Sequence, residues 1–229
     1  EGLARAREMA EKALATDPDY APAHAQLGNI AKLQNDDAGA ANHYERALAL
    51  DPTDLSVVGN AADFLGVSLG RLDEGLALSE AVVRRDPVDT TSLTNLGYYQ
   101  RLSGRYDEAI ASLRTALSLN PGNGGAHFQL GVVLLLKGDA AGALAEIEQE
   151  TSEAYRMVGL PMVYHALGRK TDSDSALAAL VAKYEKDGSY NIAYVYAFRG
   201  DADQAFEWLD KALEYHDPRL TDIVTENLF

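Results

Sequence analysis

Residues 104–121 read GRYDEAIASLRTALSLNP, and the spacing of that string decides the fold. Counted from the break at Gly104, a small residue stands five positions on (Ala109), a large apolar one nine on (Leu113) and another small one twelve on (Ala116). Those steps put all three side chains on one face of an α-helix. The run closes in Asn120-Pro121, where proline has no amide to donate and disfavours helix in the residue before it.

Working outward, the same exit recurs as Asp17-Pro18, Asp51-Pro52 and Asp86-Pro87, so proline returns with a period near 34 residues. Polar breaks at Asn35, Gly70, Gly104 and Gly138 keep that step; Gly168 and Gly200 continue it at shortened spacings of 30 and 32. Eight and seven residues before each break stand Leu27-Gly28, Ala62-Asp63, Leu96-Gly97, Leu130-Gly131, Leu160-Pro161 and Ile192-Ala193. Small residues return five after it, at Ala40, Gly75, Ala109, Ala143, Ser173 and Ala205, and larger ones nine after it, at Tyr44, Leu113, Ile147, Leu177 and Leu209. A helix–turn–helix unit repeated at ~34 residues cannot bury its apolar face alone, so the units must stack and share one continuous core. The chain is expected to be all-α, an α-solenoid.

These spacings resemble the tetratricopeptide repeat over essentially the whole chain. The resemblance implies a right-handed superhelix acting as a protein-interaction module with no enzymatic activity. It divides the sequence as one array: residues 1–17 are the second helix of a truncated repeat, 21–53, 56–88 and 90–122 are regular repeats, 124–152, 154–185 and 186–216 are less regular, and 218–229 form a capping helix. The stretch GDADQAFEWLDKALEYHDPRL at 200–220 further resembles the closing repeat of bacterial multidomain proteins, including cyclase-like and winged-helix regulators. That second resemblance implies an alternative role, as the sensory or assembly region of a larger signalling protein. A start at Glu1 with no methionine agrees with an excised or processed segment.

Composition narrows the partners. A formal charge of −15 argues against nucleic acid, whose binding rests on clustered Lys and Arg, and favours neutral, apolar or basic protein partners. No apolar run reaches the ~18 residues of a spanning helix; the longest candidate, at 131–136, stops at Lys137. Cysteine is absent, so neither disulfides nor thiolate chemistry contribute, and cytoplasm and periplasm remain equally open. The five histidines form no H-x-x-x-H pair, Asp172-x-Asp174 lacks the glycine and closing glutamate of a calcium loop, and NPGNGG at 120–125 lacks the ending of a phosphate loop. No metal, cofactor or catalytic site is expected.

On the resembled fold the first helix of each hairpin lines a concave groove, through positions ten, nine, six and three before each break. The candidate groove residues are Asn29, Lys32, Asn60, Phe64, Asn95, Tyr98, Arg101, Phe128, Tyr190 and Tyr194. Asn29, Asn60 and Asn95 offer paired donor and acceptor atoms for a peptide main chain, and the aromatic residues offer apolar anchors. Tyr190 and Tyr194 fit a core equally well. A family-type carboxylate clamp is not expected, because only Lys32 and Arg101 fall at inner-face positions and they are two repeats apart. Asp63 replaces a small residue, so it reads either as a buried carboxylate or as a sign of a loosened repeat. Pro161 should kink or restart its helix. An aromatic surface around Trp208 and Tyr215 is a candidate for pairing between chains.

Overall fold

The computed structural model describes residues 2–34 and 36–226, and every regular element among them is helical. The break at Asn35 and the last three residues of the expected cap lie outside the described residues. Thirteen α-helices are described: α1 Gly2–Thr16, α2 Ala21–Leu33, α3 Asp37–Leu50, α4 Leu55–Ala61, α5 Leu72–Arg85, α6 Thr90–Leu102, α7 Tyr106–Leu119, α8 Ala126–Leu136, α9 Ala140–Gln149, α10 Glu153–Ala166, α11 Lys170–Tyr184, α12 Ser189–Phe198 and α13 Ala202–Glu214. A π-helical stretch, Ala62–Ser68, continues α4, and a 3-10 turn, Pro218–Val224, follows α13. None of the described helices is long and apolar enough to cross a membrane.

The chain divides after Pro87 into two compact units. In unit 1 the core includes several small clusters rich in alanine, one of them around Tyr44, Phe64 and Leu65. In unit 2 a single apolar cluster runs from Ala109 to Ala212. There the first helices of successive hairpins, α6, α8, α10 and α12, pack one against the next.

Local chemistry explains where the helices begin and end. At the exits Asp17, Asp51 and Asn120 turn their side-chain oxygens back onto the amides of Asp19, Thr53 and Gly122, two residues on, which stabilises the turn ahead of the next helix. At the entry to the second helix of a hairpin the sequence uses two solutions. Asp36, Asp139 and Asp201 cap α3, α9 and α13 by accepting from amides three residues on, while Arg71, Arg105 and Arg169 instead pair with Glu74, Glu108 and Asp172. Gly70, Gly104, Gly138, Gly168 and Gly200 all take positive φ at the break, a conformation costly for other residues.

The small-residue positions let paired helices approach closely. A Cβ at Gly97 would lie 2.6 Å from Leu113, and one at Gly131 would lie 2.7 Å from Ile147. Ala40, Ala109, Ala143 and Ser173 are fully buried, as are the large side chains Tyr44, Leu113 and Ile147 that fill the space beside them.

One repeat departs from this scheme. From Pro52 to the break at Gly70 there are 18 residues, against 17 for Pro18 to Asn35, Pro87 to Gly104 and Pro121 to Gly138. The extra residue is absorbed by the π-helical stretch, where the Leu69 amide bonds the Phe64 carbonyl five residues back. Counted forward from Pro52, Ala62 then takes the place of Gly28, Gly97 and Gly131, and it is buried; Asp63 moves to the neighbouring surface position, where its side chain is 62% exposed. Asp63 is therefore not a buried carboxylate.

Pro161 does not restart its helix: α10 is continuous through it. It stands at the small-residue position of its hairpin, and its carbonyl accepts a 2.7 Å bond from the buried Ser173 hydroxyl of α11. Nor does Trp208 offer an aromatic surface. It is 4% exposed, with the Lys211 ammonium 3.9 Å from its ring, and the exposed apolar side chains of α13 are Phe206 and Leu213.

Candidate partner-binding face

In unit 1 the first-helix face is polar and open to water. Lys32, on the last turn of α2, reaches Asp63 at 2.7 Å and lies 6.0 Å above the Phe64 ring. Asn29, one turn earlier, accepts a 2.7 Å bond from the Tyr44 hydroxyl, which burial and the Asp63 charge push well above the ordinary phenol range. Asn60 is half-buried. The Lys32–Asp63 pair is open to solvent on both sides, so it is worth little.

In unit 2 the equivalent face is covered. Tyr98 and Arg101 lie one turn apart on α6, with the guanidinium 5.1 Å from the Tyr98 ring centre. Phe128 of α8 stacks on Tyr155 of α10 at 5.2 Å, and Tyr190 and Tyr194 lie one turn apart on α12. The chain reaches these residues a second time after α13. His216 takes a positive φ of 56° and turns the backbone, and Asp217 then accepts from the amides of Tyr190 and Arg219. The 3-10 turn that follows lays Leu220 and Ile223 against the apolar cluster. Beyond it the Glu226 carboxylate receives two bonds from Arg101, of 2.8 and 3.0 Å. The segment thus runs from α12, the last first helix of the unit, to α6, the first of them.

The electrostatics follow from that cover. Arg101 and Glu226 side chains are 5% and 6% exposed, so each charge depends on the other. Burial pushes the Tyr98 phenol far up, reinforced by Asp222, and pushes Tyr190 up with help from Glu226 and Asp222. Burial raises Tyr194 as well, against the nearby Arg101 charge. All three rings present neutral hydroxyls to the segment at any physiological pH.

Of the ten residues singled out in the sequence, Tyr98, Arg101, Tyr190 and Tyr194 gather around one segment. Arg101 and Phe128 are buried, which corrects their reading as exposed groove residues, and Tyr190 and Tyr194 are buried as well, the core alternative left open for them by the sequence. The physical cause at Arg101, Tyr190 and Tyr194 is the returning C-terminal segment, which the sequence pattern does not announce. Phe64 is buried for a different reason: the extra residue moves it to the core position held by Ile30 in the preceding repeat. Asn95 is exposed on α6, and Asn29, Lys32 and Asn60 keep partial access. Asp63 was missed as a face residue, and the 18-residue spacing was the signal for it. Asp217, Asp222 and Glu226 were missed as well; nothing short of the fold brings them to α6 and α12.

Comparison with known proteins identifies the repeat. Sequence models of the family described as tetratricopeptide repeat match residues 21–54, 67–123, 94–155 and 187–215, together more than half of the chain. A relative in Triticum aestivum, the Hsp70-Hsp90 organizing protein, is 30% identical over 107 residues, covering 47% of this chain and 18% of that protein. Superkiller complex protein 3 of Homo sapiens is 25% identical over 194 residues, 75% of this chain and 12% of that protein. The chain therefore spans a fifth or less of these relatives' length. Among solved structures, PilW, a widely conserved type IV pilus biogenesis factor, superposes with a TM-score of 0.69 at 21% identity, covering 80% of this chain and 86% of that one. A thermophilic protein of the same repeat class from Thermus thermophilus gives 0.63 at 20% identity, covering 84% and 99%. At such identity the structural matches speak to the fold alone.

Proposed function

Because the chain belongs to the tetratricopeptide repeat family, we propose that it is a non-enzymatic interaction module that takes a short partner segment on the first-helix face of unit 2. The observation that supports this use is the tail itself. A nine-residue stretch, 218–226, lies across that face, anchored by apolar side chains and by a charged pair, as a bound peptide would be. The open face of unit 1, with Asn29, Lys32, Asn60 and Asp63, supplies main-chain partners for a more polar segment and is the weaker site, since it lacks a desolvated anchor. The alternative role in a larger bacterial signalling protein rests on the resemblance of residues 200–220 and asks nothing different of the face.

The test is to select binders from a displayed random-peptide library and map them by photo-crosslinking. Crosslinks on α6, α8, α10 and α12 that weaken with Asn95→Ala and Tyr98→Ala, in a chain of unchanged melting, are the expected outcome. Binders that map to α7, α9 or α11 overturn the reading.

A further inference from the structure

We propose that residues 218–226 are a displaceable occupant of the unit 2 face, and that the partner segment replacing them carries a carboxylate three residues beyond an apolar side chain. The inference rests on the function proposed above and adds the chemistry and the control of that site.

The requirement for a carboxylate comes from Arg101. Its guanidinium is buried, and its two terminal nitrogens are used on Glu226 while Nε has no partner among the described residues. A charge so placed cannot be left alone in a desolvated site, so whatever replaces the tail must bring an anion or let water back. The walls around it, Tyr98, Tyr190 and Tyr194, are neutral; the Tyr98 ring, 5.1 Å from the guanidinium, offers a π face but no full negative charge. The net charge of −15 pointed to neutral or basic partners, but that charge is an average over the chain. Among the described residues Arg101 is the only Lys or Arg that is buried.

Displaceability comes from how lightly the segment is built in. No residue of Pro218–Val224 is buried, in contrast to every α-helix of the unit, and burial within the segment is confined to Thr225 and the Glu226 side chain. Leu220 and Ile223 are only partly covered, and what their release uncovers is chiefly the Tyr190 and Tyr194 rings, which a replacing segment would cover again. A single 3-10 stretch has little stability of its own. Arg219 pairs with Asp222 at 3.2 Å inside the segment. Its charged contacts with the first helices include Asp217, which accepts from the Tyr190 amide at one end, and Glu226, which pairs with Arg101 at the other. The spacing that a partner must match is therefore Leu220, Ile223 and Glu226, each three residues from the last. As an attached competitor the tail acts at an effective concentration on the order of millimolar, so it screens out weak ligands and yields to strong ones.

The experiment uses a fluorescein-labelled peptide of residues 217–229 as the probe, against the full chain, the full chain with Glu226→Lys, and a chain ending at Asp217. Anisotropy titration should show the probe binding the shortened chain and the Glu226→Lys chain at least tenfold more tightly than the full chain. A probe carrying Glu226→Lys should lose at least tenfold on the shortened chain. Should the shortened chain unfold by circular dichroism, the Glu226→Lys chain alone carries the comparison, because its helices are complete. Equal binding to the full and Glu226→Lys chains, or no binding to a folded Glu226→Lys chain, overturns the inference. Library peptides that bind the face of the full and shortened chains alike would overturn this inference and leave the interaction function standing, whereas a face that binds no peptide in either chain would overturn both.

Discussion

Lys32 in unit 1 and Arg101 in unit 2 occupy the same place in their repeats, three residues before the break, and each bonds a carboxylate at under 3 Å. They differ in cover. The Lys32–Asp63 pair is 31% and 62% exposed, whereas Arg101 and Glu226 are 5% and 6% exposed. Water already solvates the first pair, so its formation changes little; the second exists only because a distant part of the chain folds over it. The repeat supplies the position, and the cover decides whether it becomes an anchor.

The largest expected effect is the direct test of that contrast. Arg101→Met leaves Glu226 without its partner and should cost about 3–5 kcal/mol, less whatever is recovered when the tail lifts into water. Lys32→Met should cost about 0–1 kcal/mol. Trp208 is the single tryptophan and lies in unit 2, so urea unfolding followed by its fluorescence reads the first variant, and circular dichroism reads the second. Equal losses would mean that cover does not distinguish the two pairs.

A second contrast concerns glycine. Gly97, in unit 2, faces Leu113 so closely that an alanine Cβ would lie 2.6 Å from Cγ, which is not the free end of that side chain. Gly97→Ala should destabilise by about 1–3 kcal/mol through overpacking. Gly59, in α4 of unit 1, has helical backbone on both sides, and a methyl group added there would meet nothing within 4 Å. Gly59→Ala should stabilise by about 0.5–1 kcal/mol, because only chain entropy changes. Thermal melts of the two variants moving in opposite directions would confirm that one glycine is a contact and the other a loosening.

The same distinction marks what the sequence made legible. The helix–turn–helix order, the buried stripe through Tyr44, Leu113 and Ile147 and the small residues beside it all follow from local periodicity, which is a property of one helix at a time. Counting back from Gly70 misplaced Asp63 and Phe64, because a π-helical stretch is not periodic with an α-helix and an extra residue shifts everything on one side of it. Counting forward from Pro52 would have placed both. The cover over Arg101 was beyond reach of any count: Glu226 lies 125 residues away, and its approach depends on the turn at His216 and on the stacking of three intervening hairpins.

The smallest effect tests another matched position. His24 and His43 stand eleven before and eight after their break; His127 and Glu146 hold the same places in unit 2. In unit 1 the two Nδ1 atoms are 3.3 Å apart; the Pro18 carbonyl, 3.2 Å from His24 Nε2, can only accept, so neutral His24 accepts at Nδ1 from His43, and protonation of His24 removes that acceptor. In unit 2 the Glu146 carboxylate, 2.7 Å from His127, accepts from a neutral or a charged ring alike. Burial lowers the His43 pKa, and His24 and Arg7 lower it further, against Asp36. A lowered value means that the unfolded chain binds the proton more readily than the fold. The stabilisation is therefore complete above the ordinary histidine pKa near ~6.5 and declines as pH falls from there towards the folded value. Unit 1 should melt at lower temperature at pH 5.5 than at pH 7.5, with the loss held well under ~1 kcal/mol by solvent screening of these half-exposed rings. His43→Gln should flatten that dependence while leaving the Trp208 transition of unit 2 unchanged. If His43→Gln leaves the slope intact, the pair is not its source, and the matched positions differ in sequence without differing in response to protons.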